Sequence, residues 1–166
     1  MNRKIKDTPP RLQVVFASYD PPLYFVTFNT LLRRPLLADP VIHAAFRNYA
    51  ERGYFFRVGI GRYVLMPDHV HVFVQIGRDM TLRRWERGLK QCLGKALTQL
   101  GHKPANIPGA KLESFWQPGF FDHLLRHDES YAQKWDYVWR NPVRAGLVAK
   151  PEDWPYQGEI HRIDRV

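Results

Sequence analysis

The chain has 166 residues, of which 25 are Lys or Arg and 16 are Asp or Glu, and its net charge is +9. This length, with 45% hydrophobic residues, is typical of one folded domain and excludes a disordered chain. Cys92 is the only cysteine, which excludes a disulfide scaffold and a cysteine-ligated zinc cluster.

The basic excess favours a polyanionic partner, nucleic acid first. No stretch approaches ~18 consecutive apolar residues, and no apolar run follows the basic N-terminus, so we expect a cytoplasmic protein without a membrane span. Residues 1–21 are predicted to form a basic polar arm, because prolines interrupt any regular element there. The arm offers four cations as DNA contacts: Arg3, Lys4, Lys6 and Arg11.

Strand and helix patterns alternate along the first half of the chain. The residues from Leu23 are β-branched or aromatic and predict a strand. Asp39 followed by Pro40 is a helix start, with Asp as the N-cap, and Gly53 ends that helix. The stretch Tyr54–Ile76 is rich in strand formers around a Pro-Asp turn, which predicts an antiparallel hairpin.

The second half begins with another helix, which Thr81 caps and Gly101 ends. A loop containing Gly, Pro and Lys follows, and a further strand is predicted to run to Leu125. Asp128 is then suited to cap a third helix, from Glu129 to about Asn141.

The order of the first six elements is β-α-β-β-α-β, which is the plan of a ferredoxin-like sandwich. We therefore predict an α+β fold, an antiparallel sheet with helices on one face, and an extra C-terminal helix that carries Tyr137. The predicted domain spans residues 22–156, and residues 157–166 are predicted to be a tail.

The first cluster with catalytic potential is His69-Val70-His71 on the second strand of the hairpin. Side chains at i and i+2 of a strand share a face, so the two imidazoles can reach one ion. A catalytic metal site also needs a third ligand and an open coordination position. The alternative is a pair of ordinary surface or core histidines.

The second cluster lies on the third helix, where Tyr137 and Asn141 are four residues apart and share a face. Gln133 lies one turn earlier on that face, and Lys134 is next to it. A tyrosine, an amide and a lysine can thus face one site. The alternative is that Tyr137 is an amphipathic residue with a packed ring and a solvated hydroxyl.

Two further groups are weaker candidates. Asp122 and His123 could orient a ligand histidine or touch substrate, or they could be polar residues of an ordinary strand edge. The second helix carries cations that could contact DNA or simply be solvated: Arg83, Arg84, Arg87 and Lys90.

Together these segments resemble a known family. The segment 66–71, Met-Pro-Asp-His-Val-His, is similar to the histidine–hydrophobe–histidine ("HUH") motif of single-tyrosine transposases. The distal half is similar to the REP-associated tyrosine transposase branch, whose proteins are linked to repetitive extragenic palindromes in bacteria. The residues that carry this second similarity are Trp116-Gln117-Pro118, Asp122-His123, Tyr131, Asp136-Tyr137 and Asn141-Pro142-Val143-Arg144-Ala145-Gly146-Leu147-Val148. The resemblance extends over roughly residues 22–156 and implies the ferredoxin-like fold.

The resemblance also implies roles for particular residues. His69 and His71 match the ligands of a divalent metal, Mg²⁺ or Mn²⁺, and Asn141 matches the residue that completes that site. Tyr137 matches the nucleophile, which forms a 5′-phosphotyrosine with DNA. Tyr131 lies six residues earlier, about 600° around the helix, and we assign it to packing.

The activity implied is that of a metal-dependent single-strand DNA endonuclease and strand transferase. It would cleave and rejoin DNA near hairpins formed by REP-like palindromes. Two alternatives are a domesticated DNA-binding protein without turnover and an unrelated metal-dependent hydrolase in which Tyr137 is dispensable. Whether the protein is a monomer or a homodimer, and whether tyrosine and histidines act in cis or in trans, is left open.

Overall fold

The computed structural model of the chain describes residues 21–126 and 131–163. Five strands form an antiparallel sheet in the order β6-β1-β3-β2-β7, and two short strands form a separate β4-β5 ribbon. The strands are β1 Leu23–Asn29, β2 Val58–Leu65, β3 His69–Ile76, β4 Ala105–Asn106, β5 Glu113–Ser114, β6 Phe121–Leu125 and β7 Gln157–Glu159. The helices are α1 Pro40–Arg52, α2 Leu82–Gln99, α3 Tyr131–Trp139 and α4 Asn141–Arg144. This mixed α+β architecture, with its antiparallel sheet, confirms the predicted fold class.

The helix starts follow from local side-chain chemistry. The Asp39 carboxylate accepts hydrogen bonds from the backbone N–H groups of Val41 and Ile42, which α1 cannot satisfy internally. The Thr81 hydroxyl accepts from the N–H of Arg84 at the start of α2 in the same way. Both caps are therefore as the sequence predicts.

The two faces of the sheet carry different layers. Val70, Val72 and Val74 of β3 are fully buried in the cluster that also contains the apolar residues of α1 and α2. The residues between them on β3 point the other way, because side chains alternate along a strand. That second face carries His69, His71 and Phe73, and α3 packs on it.

One glycine marks where this second layer closes on the sheet. A Cβ atom at Gly61 of β2 would meet the Ile163 side chain and would lie 2.7 Å from the Tyr131 hydroxyl. Any larger residue at this position would require Ile163 or Tyr131 to move. The register of β2 against β3 also shifts between Ile60 and Tyr63, which is typical of a β-bulge.

The predicted end of the third helix differs from the structure. The helix that carries Tyr137 ends at Trp139, and Asn141 begins the separate α4, because Pro142 has no N–H to continue the hydrogen-bond ladder. The predicted cap Asp128 and first residue Glu129 lie outside the described residues.

The predicted tail is the second correction. Gln157–Glu159 forms β7 and pairs with β2 over Arg62–Val64. Ile160, His161 and Ile163 are buried, so the domain extends at least to residue 163. Among residues 21–126 and 131–163, no helix is long and apolar enough to cross a membrane.

Candidate active site

The two histidines of β3 lie side by side on the face covered by α3. In the β1–β3 register, His71 is opposite Thr27 and His69 is opposite Asn29. The two imidazole centroids are 4.7 Å apart, with the rings edge to face. This spacing allows both rings to approach one small ion.

Each histidine has a hydrogen-bond partner at its own Nδ1 atom. His71 Nδ1 is 2.7 Å from the Thr27 hydroxyl, and His69 Nδ1 is 2.6 Å from a carboxylate oxygen of Asp68. With the proton on Nδ1 donated to these oxygens, the Nε2 lone pair of each ring remains available. Metal-binding histidines ordinarily have such an oxygen partner on the second nitrogen.

The charge state of the pair suits ligation, because a histidine ligand must be neutral. Burial, together with the neighbouring His69 ring and the charges of Arg144 and Arg33, lowers the pKa of His71 to about 3. Burial also lowers the pKa of His69, although the hydrogen bond and charge of Asp68 oppose this. Both imidazoles are therefore neutral at pH 7.

Arg33 is a site residue that sequence reasoning missed. Its guanidinium forms a 2.8 Å ion pair with Asp68, the residue that holds His69, and donates a 2.6 Å hydrogen bond to Asn29. Leu32 and Arg33 both have positive φ, 58° and 55°, which non-glycine residues rarely adopt. Such strain tends to occur at functional sites, and here it places a cation beside the histidines.

Helix α3 runs across the histidine face of the sheet. Tyr131, at its start, packs edge to face on Phe73 with centroids 4.7 Å apart. One turn later the Lys134 ammonium lies 5.2 Å from the ring centre of Phe25, and Phe25 itself stacks on His71 at 5.4 Å. The first part of α3 therefore packs on the aromatic residues that lie next to His71.

Arg144 of α4 connects the tyrosine, the amide and the histidines. Its guanidinium carbon lies 4.0 Å from the ring centre of Tyr137, and it donates hydrogen bonds to the Tyr137 carbonyl at 2.7 Å and to Asn141 Oδ1. Its charge also acts on His71. Tyr137 is 64% exposed, so its hydroxyl is accessible to a large substrate.

The residues present fit a divalent metal. Among the described residues, no three His, Cys, Asp or Glu side chains form a group that could hold an ion. Within that part of the chain, a further protein ligand for His69 and His71 would be of another type, such as an amide oxygen. Asn141 can supply its Oδ1, because a carbonyl oxygen has two lone pairs and the contact with Arg144 uses one. Imidazole with amide oxygen is a ligand set that suits Mn²⁺ and accommodates Mg²⁺.

The structure separates Asp122 from His123. In the β1–β6 register, His123 is opposite Phe25, on the histidine face, whereas Asp122 is opposite Val26. Asp122 lines a groove of about 630 Å³ beside α2, together with Arg83 and other residues. Of the two, only His123 therefore lies on the sheet face that carries His69 and His71. Gln133 is exposed on α3, one turn before Tyr137.

The cations predicted to contact DNA have different surroundings. Arg83, Arg84 and Arg87 are exposed on α2. The side chain of Lys90 is only 12% exposed, pairs with the buried Glu86, and donates to the carbonyls of Gln117 and Gly119. Lys90 therefore holds the following loop against α2. Arg3, Lys4, Lys6 and Arg11 lie outside the described residues.

Two relatives with similar sequences have the same kind of name. A REP-associated tyrosine transposase of Escherichia coli (strain K12) is 31% identical over 145 residues, which are 84% of this chain and 76% of that protein. A Haemophilus influenzae relative, provisionally described as the same transposase, is 28% identical over 148 residues, 84% of this chain and 80% of its own length. No protein-family model matches the chain.

A solved structure shares the fold. It is a REP-associated tyrosine transposase bound to a REP hairpin, with a TM-score of 0.58 and 23% sequence identity. The match covers 89% of this chain and 93% of that chain.

Proposed function

Because the chain belongs to the family of REP-associated tyrosine transposases, we propose that it cleaves and rejoins single-stranded DNA beside hairpins, with Tyr137 as the nucleophile and a divalent metal at His69 and His71. The observation that carries the proposal is the pair of adjacent imidazoles, each anchored through its Nδ1 atom. They lie on the sheet face against which α3 packs, and α3 carries the exposed Tyr137. Arg144 contacts both Tyr137 and Asn141, and its charge lowers the pKa of His71.

The proposed metal ligands are the Nε2 atoms of His69 and His71 and the Oδ1 atom of Asn141. A Mg²⁺ or Mn²⁺ ion bound there would polarise a phosphoryl oxygen and reduce the negative charge of the scissile phosphate. Thr27 and Asp68 keep the two rings oriented through their Nδ1 atoms. Arg33 and Arg144 both add positive charge near His71.

In the proposed chemical step, one ester bond of the scissile phosphate is replaced by another. The Tyr137 oxygen attacks phosphorus and loses its proton, while the bond to the 3′ oxygen of the neighbouring nucleotide breaks and that oxygen gains a proton. The products are a 5′-phosphotyrosine and a free 3′-hydroxyl. Attack by a 3′-hydroxyl on the phosphotyrosine reverses the step and rejoins a strand, so no external energy source is needed.

Lys134 and His123 are the proposed supporting residues. The Lys134 ammonium lies over Phe25, the ring that stacks on His71, so it is placed between α3 and the histidines. A cation there would favour deprotonation of an approaching phenol. His123 is opposite Phe25 on the other side, in β6.

We propose hairpin-containing DNA as the substrate. The net charge of +9 matches a polyanion, and the solved relative is bound to a REP hairpin. A denaturing gel of the protein with labelled hairpin oligonucleotides taken from repeats beside its gene tests the proposal. We expect a Mn²⁺-dependent covalent adduct that is absent in Tyr137→Phe and present in Tyr131→Phe. Tight binding without any adduct would instead indicate the domesticated DNA-binding protein.

The same contacts favour an active site completed within one chain. Arg144 touches Tyr137 and Asn141, and its charge lowers the pKa of His71 in the same molecule. We therefore expect no adduct when a Tyr137→Phe protein is mixed with a His69→Ala protein. Restored activity in the mixture would show that tyrosine and histidines act in trans.

A further inference from the structure

A second surface, on the other side of the sheet, has features of a ligand site. A groove of about 760 Å³ lies between the end of α1, the turn that follows it, and the start of α2. Phe55 and Phe56 of that turn line the groove and are 79% and 60% exposed. Adjacent phenylalanines so far out of the core are costly to solvate and usually mark a binding surface.

A buried tryptophan forms part of the groove wall. Trp85 of α2 also lines the groove, and its side chain is 2% exposed. Its indole Nε1 atom is inaccessible to solvent and has no hydrogen-bond partner among the described residues. Buried donors are normally paired, so this N–H lacks the partner that such a group usually has.

The charge of the groove selects the kind of ligand. Its lining contains three arginines and, among the described residues, no carboxylate: the arginines are Arg52, Arg84 and Arg87. Aromatic rings with arginines at their rim are the combination that proteins use for unpaired bases and their phosphates. A purely apolar partner would not need these guanidinium groups.

We propose that this groove binds an unpaired nucleobase of DNA, stacked on Phe55 and Phe56, with its phosphate at Arg84 or Arg87. The assignment deepens the proposed function, because it names a second contact for the same DNA.

The position of the groove makes it a recognition contact rather than a part of the reaction. Val58 lines the groove and pairs with Ile76, at the end of β3 away from His69. Seven residues of strand, about 23 Å, separate Ile76 from His69. The groove is also on the face that carries α1 and α2, opposite the histidines. A base bound here can anchor DNA without reaching the scissile phosphate.

The test is the affinity of the full-length protein for a fluorescent single-stranded oligothymidylate, measured by anisotropy. Stacking tolerates any base, so the natural sequence is not required. We expect the double variant Phe55→Ala, Phe56→Ala to bind about 5- to 150-fold more weakly than the unmodified protein. Both side chains are exposed, so the midpoint temperature of thermal unfolding should not change. Leu112→Ala, at an equally exposed apolar residue on the β4–β5 loop, is the matched control and should bind normally.

Photocrosslinking gives a direct readout. An oligonucleotide carrying 5-bromodeoxyuridine should crosslink within the peptide Gly53–Arg57, as mapped by mass spectrometry. Unchanged affinity in the double variant, or crosslinks confined to other peptides, would overturn the assignment. A changed molecular mass of the double variant with unchanged DNA affinity would also overturn it and indicate contact with a second copy of the chain.

The outcomes also separate this assignment from the proposed function. If the Tyr137 adduct forms but the double variant binds DNA normally, only the groove assignment fails. If the unmodified protein binds no DNA and forms no adduct, both fail.

Discussion

The hydrogen bond between Thr27 and His71 offers a sharp test of the metal site. Thr27→Val keeps the branched shape of the side chain but removes the hydroxyl that lies 2.7 Å from His71 Nδ1. Without this partner, His71 can rotate or adopt the tautomer with its proton on Nε2, where the metal should bind. Loss of such an oxygen partner typically reduces metal affinity about 10- to 100-fold.

Stability should change little in the same variant. Losing one partly buried hydrogen bond costs about 0.5–1.5 kcal/mol. The added methyl group recovers up to about 0.8 kcal/mol on the half-buried strand β1. The free energy of unfolding should therefore fall by less than about 1 kcal/mol, while metal affinity falls much more.

The assay is a Mn²⁺ titration of adduct formation, paired with calorimetric titration of the protein with Mn²⁺ alone. Thr98→Val is the matched control, because its hydroxyl donates a 3.0 Å hydrogen bond to Gly94 within α2, away from the histidines. We expect the midpoint to rise about 10- to 100-fold for Thr27→Val only. An unchanged midpoint in Thr27→Val would refute ligation by His71 through Nε2.

Three further predictions follow from other contacts. Arg144→Ala should slow adduct formation at saturating DNA by about 10²-fold, because a cation at the reacting phosphate is lost, and Arg144→Lys should recover only part of this. Tyr131→Phe should lower the free energy of unfolding by about 1–3 kcal/mol, because the buried backbone N–H that its hydroxyl accepts from loses its partner, yet it should retain the adduct. Burial lowers the pKa of His161, so the unfolded chain takes up a proton near pH 6.5 before the folded chain does, and stability should fall as the pH drops below about 6.5. His161→Gln should weaken that dependence in thermal unfolding scans.

Each of these has an opposing outcome. If the Arg144→Ala protein reacts at the unmodified rate, the contacts of Arg144 support the structure and not the reaction. If Tyr131→Phe folds normally but forms no adduct, Tyr137 cannot be assigned as the nucleophile. An equally steep pH dependence in His161→Gln would assign the acid sensitivity to other groups.

Local patterns predicted most elements of the fold because each depends on neighbours in sequence. The Asp39 and Thr81 caps, and the β3 strand from His69 to Ile76, are where the sequence indicated. The error in the predicted end of the third helix also has a cause nearby in the sequence. The i, i+4 argument treated Tyr137 and Asn141 as one helix, but the proline after Asn141 ends α3 at Trp139.

Other differences depend on contacts between distant segments. The predicted tail became β7 because β2 had an unpaired edge and Gly61 left space for Ile163. Lys90 was predicted as a DNA contact from its helix alone. The loop carbonyls of Gln117 and Gly119, nearly thirty residues away, engage its ammonium instead.

The sequence by itself determined the order of elements, the shared face of His69 and His71, and the resemblance that singled out Tyr137, because periodicity and motif spacing are properties of the chain alone. Only the tertiary structure decided which groups surround them. Thr27 and Arg33 reach the histidines through strand pairing and a strained turn, and no sequence spacing encodes those contacts. The Phe55 groove likewise exists only because α1 and α2 pack side by side on the sheet.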